Sequence, residues 1–265
     1  MTNRKRRGTR NFAGKAMRKL ASRASAGLRL YGVHPVAAAL ANPARRCLRL
    51  TATTAALADL RARLDGDLER DGLEIASATR DAVGRLLDDG AIHQGLALDV
   101  DPLPRPSFDE VCVSGKAPRL VLLDRINDPQ NLGAVIRAAA AFRAGAVIVP
   151  DRHAPEISGA LAKAASGALE LVPLVRVANI ARAIERLQQR GYWCIGLDGG
   201  AAATLASARP DGACALVLGA EGAGLRRLTK QRCDVTLRLP ISDAVESLNL
   251  ATAAAVALYA LREEK

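Results

Sequence analysis

The sequence predicts an α/β protein: a mainly parallel sheet sandwiched between helices, preceded by a smaller α/β unit and a basic arm. Three observations carry this. From Leu120 onward, short apolar runs alternate with helix-like stretches. Apolar residues make up 49% and charged residues 25%, the balance of a folded chain, which excludes wholesale disorder. Aromatic residues are only 3%, so alanine and small aliphatic side chains must fill a closely packed core. No apolar run approaches the roughly 18 residues of a membrane span, so no membrane partner is expected.

The elements follow in order. Residues 1–27 hold nine basic residues and little to bury, and read as a disordered arm. Residues 28–100 form the small unit. His34-Pro35 before Val36–Leu40 reads as a helix entry with proline in the first turn. Cys47–Thr53 reads as a strand, Ala55–Leu64 as a helix and Leu73–Ala76 as a short strand. A helix over Arg80–Leu87 and a closing strand over Gly95–Val100 complete it. Residues 101–118 contain four prolines, which oppose a regular helix and mark a linker. Residues 119–265 carry strand-like runs at Leu120–Leu123, Ala146–Val149, Trp193–Leu197, Cys214–Leu218 and Val235–Leu239. Helices are expected over Leu132–Phe142, Ser158–Ala168, Ile180–Gln189, Leu225–Arg232 and Ser247–Arg262. Strand order does not follow from the pattern.

The net charge of +11 is unevenly placed. Residues 1–58 hold thirteen Lys and Arg and no acid; from Asp59 onward 25 bases face 27 acids. A one-sided basic front suggests a polyanionic partner, nucleic acid first. A solubilising tail or an Arg-rich transit peptide are the other readings of the same residues. On RNA, Lys15 to Arg23 can wind into a basic helix. The five cysteines are scattered and show no C-x-x-C pair, so neither a disulfide framework nor a metal site is expected, and a reducing cytoplasmic compartment fits. The charged start lacks the apolar region of a signal peptide.

Ligands of open α/β sheets bind beyond the carboxyl ends of the strands, and three such ends here carry unusual chemistry. The first runs through residues 120–142. Asp124 ends the strand, Asp128-Pro129-Gln130-Asn131 is turn chemistry, and Asn131 can cap the next helix. Arg137 sits in that helix among small apolar neighbours, which suggests that it faces something specific. The second end, residues 216–225, runs from a strand into Gly219, Gly222 and Gly224. Glycines there let a ligand approach the backbone, and Glu221 can cap the following helix. The order G-x-x-G-x-G is not the dinucleotide fingerprint, and it comes late in the chain. In the third, residues 239–261, Pro240 ends a strand, and Ser247 and Asn249 open a smooth alanine-rich helix. Ser247 and Asn249 read equally as helix caps.

In this order, the three segments resemble the motifs of the SpoU/TrmH family of RNA ribose 2′-O-methyltransferases. Asn131, Gly133 and Arg137 match its N-x-G-x-x-x-R motif. Gly219, Glu221, Gly222 and Gly224 match its G-x-E-G-x-G motif, and Pro240 with Ser247-Leu248-Asn249 matches its third. Residues 163–188 also resemble the subgroup acting on a guanosine of 23S ribosomal RNA. Residues 30–40 and 91–98 resemble that subgroup's small RNA-binding domain, similar to ribosomal protein L30e. The third motif departs from the family where Ile241 replaces a common Met, and Asp243 and Glu246 replace small residues.

The resemblance implies a C-terminal trefoil-knotted methyltransferase domain, S-adenosyl-L-methionine as cofactor, and a homodimer with sites near its interface. It implies cofactor contacts at Leu218, Gly219, Leu239, Ile241 and Leu248. It assigns catalysis to Arg137, as base or as phosphate clamp, supported by Asn131, Glu221, Ser247 and Asn249. A 2′-hydroxyl substrate means RNA. The alternatives are a tRNA ribose methyltransferase and a non-catalytic RNA-binding protein on the same fold.

Overall fold

The computed structural model describes residues 27–66, 68, 70–113, 119–208, 210 and 212–262. The arm before Gly27, with its expected helix at Lys15–Arg23, lies outside the described residues, as do residues 114–118 of the expected linker.

Two sheets organise the chain. The first has four strands in the order β1-β4-β2-β3: β1 (Leu28–Tyr31), β2 (Cys47–Ala52), β3 (Glu74–Ser77) and β4 (Leu96–Val100). Only β2 and β3 run parallel. Strand β1 does not appear among the expected elements, because four residues after a basic arm give too short a pattern. Helices α1 (Val33–Ala41), α2 (Thr54–Arg63) and α3 (Arg80–Gly84) connect the strands. The expected helix to Leu87 ends three residues early, in turns that carry the chain past Gly90.

The proline-rich segment is not wholly irregular. Ser107 and Glu110 form a reciprocal capping box that starts a short helix, α4 (Phe108–Val111), and Phe108 is buried. Pro102, Pro104 and Pro106 precede those four residues and Pro118 follows them, so no proline interrupts the helix.

The second sheet is six-stranded and entirely parallel, in the order β10-β8-β9-β5-β6-β7. The strands are β5 (Arg119–Leu123), β6 (Ala146–Pro150), β7 (Leu174–Val177), β8 (Trp193–Leu197), β9 (Cys214–Leu218) and β10 (Val235–Leu237). Strand β7, which also escapes the sequence pattern, is an edge strand and is interrupted by Arg176. Both faces of the sheet are buried. On β5, Val121 and Leu123 pack into one core, and Leu120 and Leu122 into the other; β9 splits Leu216 from Val217 in the same way. Helices α5 (Pro129–Ala141), α6 (Gly159–Ala165) and α9 (Leu250–Ala260) cover the first face. Helix α7 (Ile180–Gln188) and α4 cover the second, and α8 (Arg227–Arg232) packs beside α7.

The core on the first face continues without a break into the four-stranded sheet. At this seam Arg45 and Glu170 form a buried ion pair, with side chains 2% and 4% exposed. Asn42 donates to the same carboxylate at 2.8 Å, and the Arg45 guanidinium also donates to the Asp101 carbonyl at 2.9 Å. Both charges are thus satisfied, as burial of an ion pair requires. All five cysteines are free thiols, and burial pushes those of Cys112 and Cys214 up to about 11. No helix among the described residues is long and apolar enough to cross a membrane.

Candidate active site

Three loops beyond the strand ends of the parallel sheet meet at a cleft of about 500 Å³. One follows β8, one follows β9 and one leads from β10 into α9. The β9 loop is closed on itself: the Ala220 N–H donates to the Gly224 carbonyl at 3.1 Å, and the Gly224 N–H donates back to the Ala220 carbonyl at 2.9 Å. The turn needs left-handed backbone at Gly222 (φ 70°) and Gly224 (φ 61°), a region that side chains with a Cβ disfavour. At Gly219 the limit is space, because any Cβ would collide with the backbone of Gly224 and Leu225. The cleft wall at this point is therefore bare peptide. Leu218, Gly219, Leu239, Ile241 and Leu248, the expected cofactor contacts, all line it.

Glu221 and Ser247 also line the cleft. One Glu221 carboxylate oxygen accepts three hydrogen bonds: from the Asn131 amide at 3.1 Å, the Asn249 amide at 2.7 Å and the Leu250 N–H at 3.1 Å. The Asn249 amide also donates to the Asn131 side-chain oxygen at 3.1 Å. Residues far apart in sequence thus lock the first turns of α5 and α9 to the β9 loop. A carboxylate at the start of α9 is also favoured by the helix dipole.

The capping expectations need three corrections. Asn131 does not cap α5; Asp128 does, accepting from the Gln130 N–H at 2.9 Å, with Pro129 in the first turn. Glu221 serves the start of α9, not the helix that follows it in sequence, because its loop folds back between α5 and α9. Ser247 precedes the last helix; Asn249 caps it, accepting from Ala251 at 2.9 Å. Asn249 thus acts as a cap with its oxygen and as a bridge with its nitrogen.

Arg137 is not brought to this cluster. It lies six residues beyond Asn131 on α5, which turns it to another side of the helix. It is exposed in a separate cleft of about 600 Å³ at the seam, among Ala38, Ala140, Ala165 and Glu170. Two charged groups at the first cleft, Asp198 and Lys230, lie outside the three motifs. Asp198, just beyond β8, pairs with Lys230, whose hydrogen bond holds the Asp198 carboxyl below the usual carboxylate range. Its position is its sequence signal: Asp198 follows a strand end just as Asp124 does. Among the described residues, no three His, Cys, Asp or Glu side chains are placed to share a metal ion.

Residues 118–259 match the SpoU rRNA Methylase family, and residues 29–106 match the family described as RNA 2′-O ribose methyltransferase substrate binding. The chain belongs to the SpoU rRNA methylase family. Family relatives named 23S rRNA (guanosine-2′-O-)-methyltransferase RlmB extend over nearly the whole length. The Vibrio vulnificus protein is 36% identical, covering 87% of this chain and 94% of its own. The Pseudomonas aeruginosa protein is 38% identical, covering 89% and 96%. Among solved structures, a putative RNA methyltransferase of the TrmH family from Porphyromonas gingivalis is 26% identical, with a TM-score of 0.72 and 92% of each chain covered. The SpoU methyltransferase AviRb from Streptomyces viridochromogenes, solved with its cofactor AdoMet, shares the fold at a TM-score of 0.73 and 23% identity, covering 91% of this chain and 90% of its own.

Proposed function

We propose that this chain methylates the 2′-hydroxyl of a guanosine ribose in 23S ribosomal RNA, with S-adenosylmethionine as donor. The observation that carries the reading is the joining of three motif segments through Glu221, beside a cleft walled by glycine backbone. The RlmB relatives point to the substrate, 23S rRNA, and to guanosine.

The cleft fits the donor in shape and chemistry. Bare peptide at Gly219 offers hydrogen-bonding groups at close range, and Leu218, Leu239, Ile241 and Leu248 offer apolar walls for a flat base. When bound, S-adenosylmethionine supplies a methyl group already activated by its sulfonium centre, so alignment is the protein's main task. Glu221, Asn131 and Asn249 hold the loop that forms the wall. Ser247 stands at the rim as a hydroxyl for positioning the ribose.

The attacking hydroxyl is weakly acidic and needs help in losing its proton. We assign that help to Arg137. A guanidinium is a poor base, and holding the adjacent phosphate so that the ribose is oriented suits its forked donors better. Arg137 lies outside the cleft of its own chain, so we place it at the cleft of a second copy in a homodimer. Its exposure, and the exposed Val256 and Tyr259 on the neighbouring α9, support this. We also assign residues 28–100 to RNA substrate binding as an L30e-like unit, residues 1–27 to phosphate contacts and 101–118 to a linker. Residues 119–265 form the methyltransferase domain, with its C-terminal segment threaded as a trefoil knot.

The test is Arg137→Ala. Methyl transfer to rRNA is expected to fall at least about a hundredfold, as for loss of a transition-state contact, while isothermal titration with S-adenosylmethionine is unchanged. Near-normal turnover overturns the assignment. Mapping 2′-O-methyl sites in rRNA and tRNA with and without the protein decides between the two RNA classes.

A further inference from the structure

A second, larger cleft of about 830 Å³ opens on the same edge of the parallel sheet, beyond β5, β6 and β7. It shares a loop with the candidate active site: residues 218–225 line the first cleft, and residues 226–229 line the second. Three exposed arginines, Arg125, Arg152 and Arg227, converge on it from the segments after β5, after β6 and at the start of α8. None of the three makes an ion pair among the described residues.

The one carboxylate lining the cleft does not neutralise them. Asp124 is fully buried and committed to Arg226, accepting its N–H at 2.9 Å and its Nε at 3.0 Å, while the Arg226 guanidinium also donates to the Asp124 carbonyl at 2.7 Å. This pair anchors the shared loop to the end of β5 and cancels its own charge. Three guanidinium groups remain, gathered from separate segments, with no ion-pair partner among the described residues. Like charges so gathered repel one another, and an anion relieves that. No Phe, Tyr or Trp lines the cleft, and apart from the His153 imidazole its exposed functional groups are mainly guanidinium, so charge dominates its lining.

We propose that this cleft is a phosphate-binding subsite that holds the RNA backbone of the strand bearing the reactive ribose. The proposal rests on the reading of the chain as an RNA ribose methyltransferase. It adds a grip on the substrate that none of the three motifs contains, placed across one loop from the donor. Guanidinium forks match phosphate oxygens, and such contacts position a strand without reading its sequence.

The experiment measures binding of a transcribed 23S rRNA fragment to the full chain over a series of salt concentrations. The variants are Arg125→Ala, Arg152→Ala, Arg227→Ala, the three combined, and Arg143→Ala as a control at the opposite sheet edge. Each single variant is expected to lower the salt slope by about 1. The combined variant is expected to lower it by about 2–3 and to weaken binding at least roughly tenfold at moderate salt. S-adenosylmethionine binding and kcat at saturating RNA stay near normal, KM for RNA rises, and Arg143→Ala changes nothing. If the combined variant fails to fold, as judged by circular dichroism and cofactor titration, the single variants decide. An unchanged slope with intact methyl transfer overturns the subsite alone. A lowered slope in a protein whose wild type methylates no ribose keeps the subsite and removes the methyltransferase reading.

Discussion

Asn131 and Arg137 belong to one motif and one helix, yet they serve different neighbourhoods. Asn131 enters a network completed within the chain, where Glu221 ties α5, α9 and the β9 loop together. Arg137 stands in a cleft at the seam, walled by alanines and backed by the buried Arg45–Glu170 pair. The first neighbourhood is shaped by backbone and depends on glycine. The second is shaped by packing between two sheets and depends on a satisfied ion pair. The contrast teaches that one sequence motif can hold two separable devices, one that builds a pocket and one that delivers a charge.

Three substitutions break or sharpen this contrast. Glu170→Ala has the largest expected effect. It leaves Arg45 buried without its partner, and unfolding in urea should show a loss of about 3–5 kcal/mol. A loss under about 1 kcal/mol would mean that the seam is held by its apolar contacts alone. Gly219→Ala comes next and acts on the other cleft. Its Cβ meets the Gly224 backbone, so S-adenosylmethionine titration should show binding weakened roughly thirtyfold, the equivalent of about 2 kcal/mol of overpacking. Unaltered binding would remove the bare-peptide wall from the cofactor site. Glu221→Gln is the mildest. It keeps an acceptor oxygen but removes the charge that three donors share, for an expected loss of about 1 kcal/mol in stability. A loss as large as that of Glu170→Ala would erase the distinction between the two regions.

Much of the fold is legible in the sequence because burial on both faces writes the central strands as continuous apolar runs. The runs at Trp193–Leu197 and Cys214–Leu218 coincide with β8 and β9 to the residue. The edge strands β1 and β7 are not legible. They are short and half-exposed, and a basic or polar neighbour interrupts each pattern. The site is legible through its motif residues, since Gly219, Glu221 and Asn249 sit where close approach, a shared acceptor and a cap are needed. Its wiring is not, because the Glu221 contacts cross 90 and 28 residues of chain. Arg137 shows the opposite limit: spacing from Asn131 identifies the residue but places it on another side of the helix. The Arg125, Arg152 and Arg227 cluster is invisible in sequence, since only the sheet order brings its three segments together.

The unbroken core at the seam makes the molecule a calliper with fixed jaws. Val36 of α1 and Leu50 of β2, from the four-stranded unit, and Leu132 of α5 and Leu161 of α6, from the six-stranded one, belong to a single packed body. An arm that swings would let one protein adapt to many spans between its two jaws. Here the span is set by a shared core, because changing the angle between the two sheets would expose apolar side chains to water.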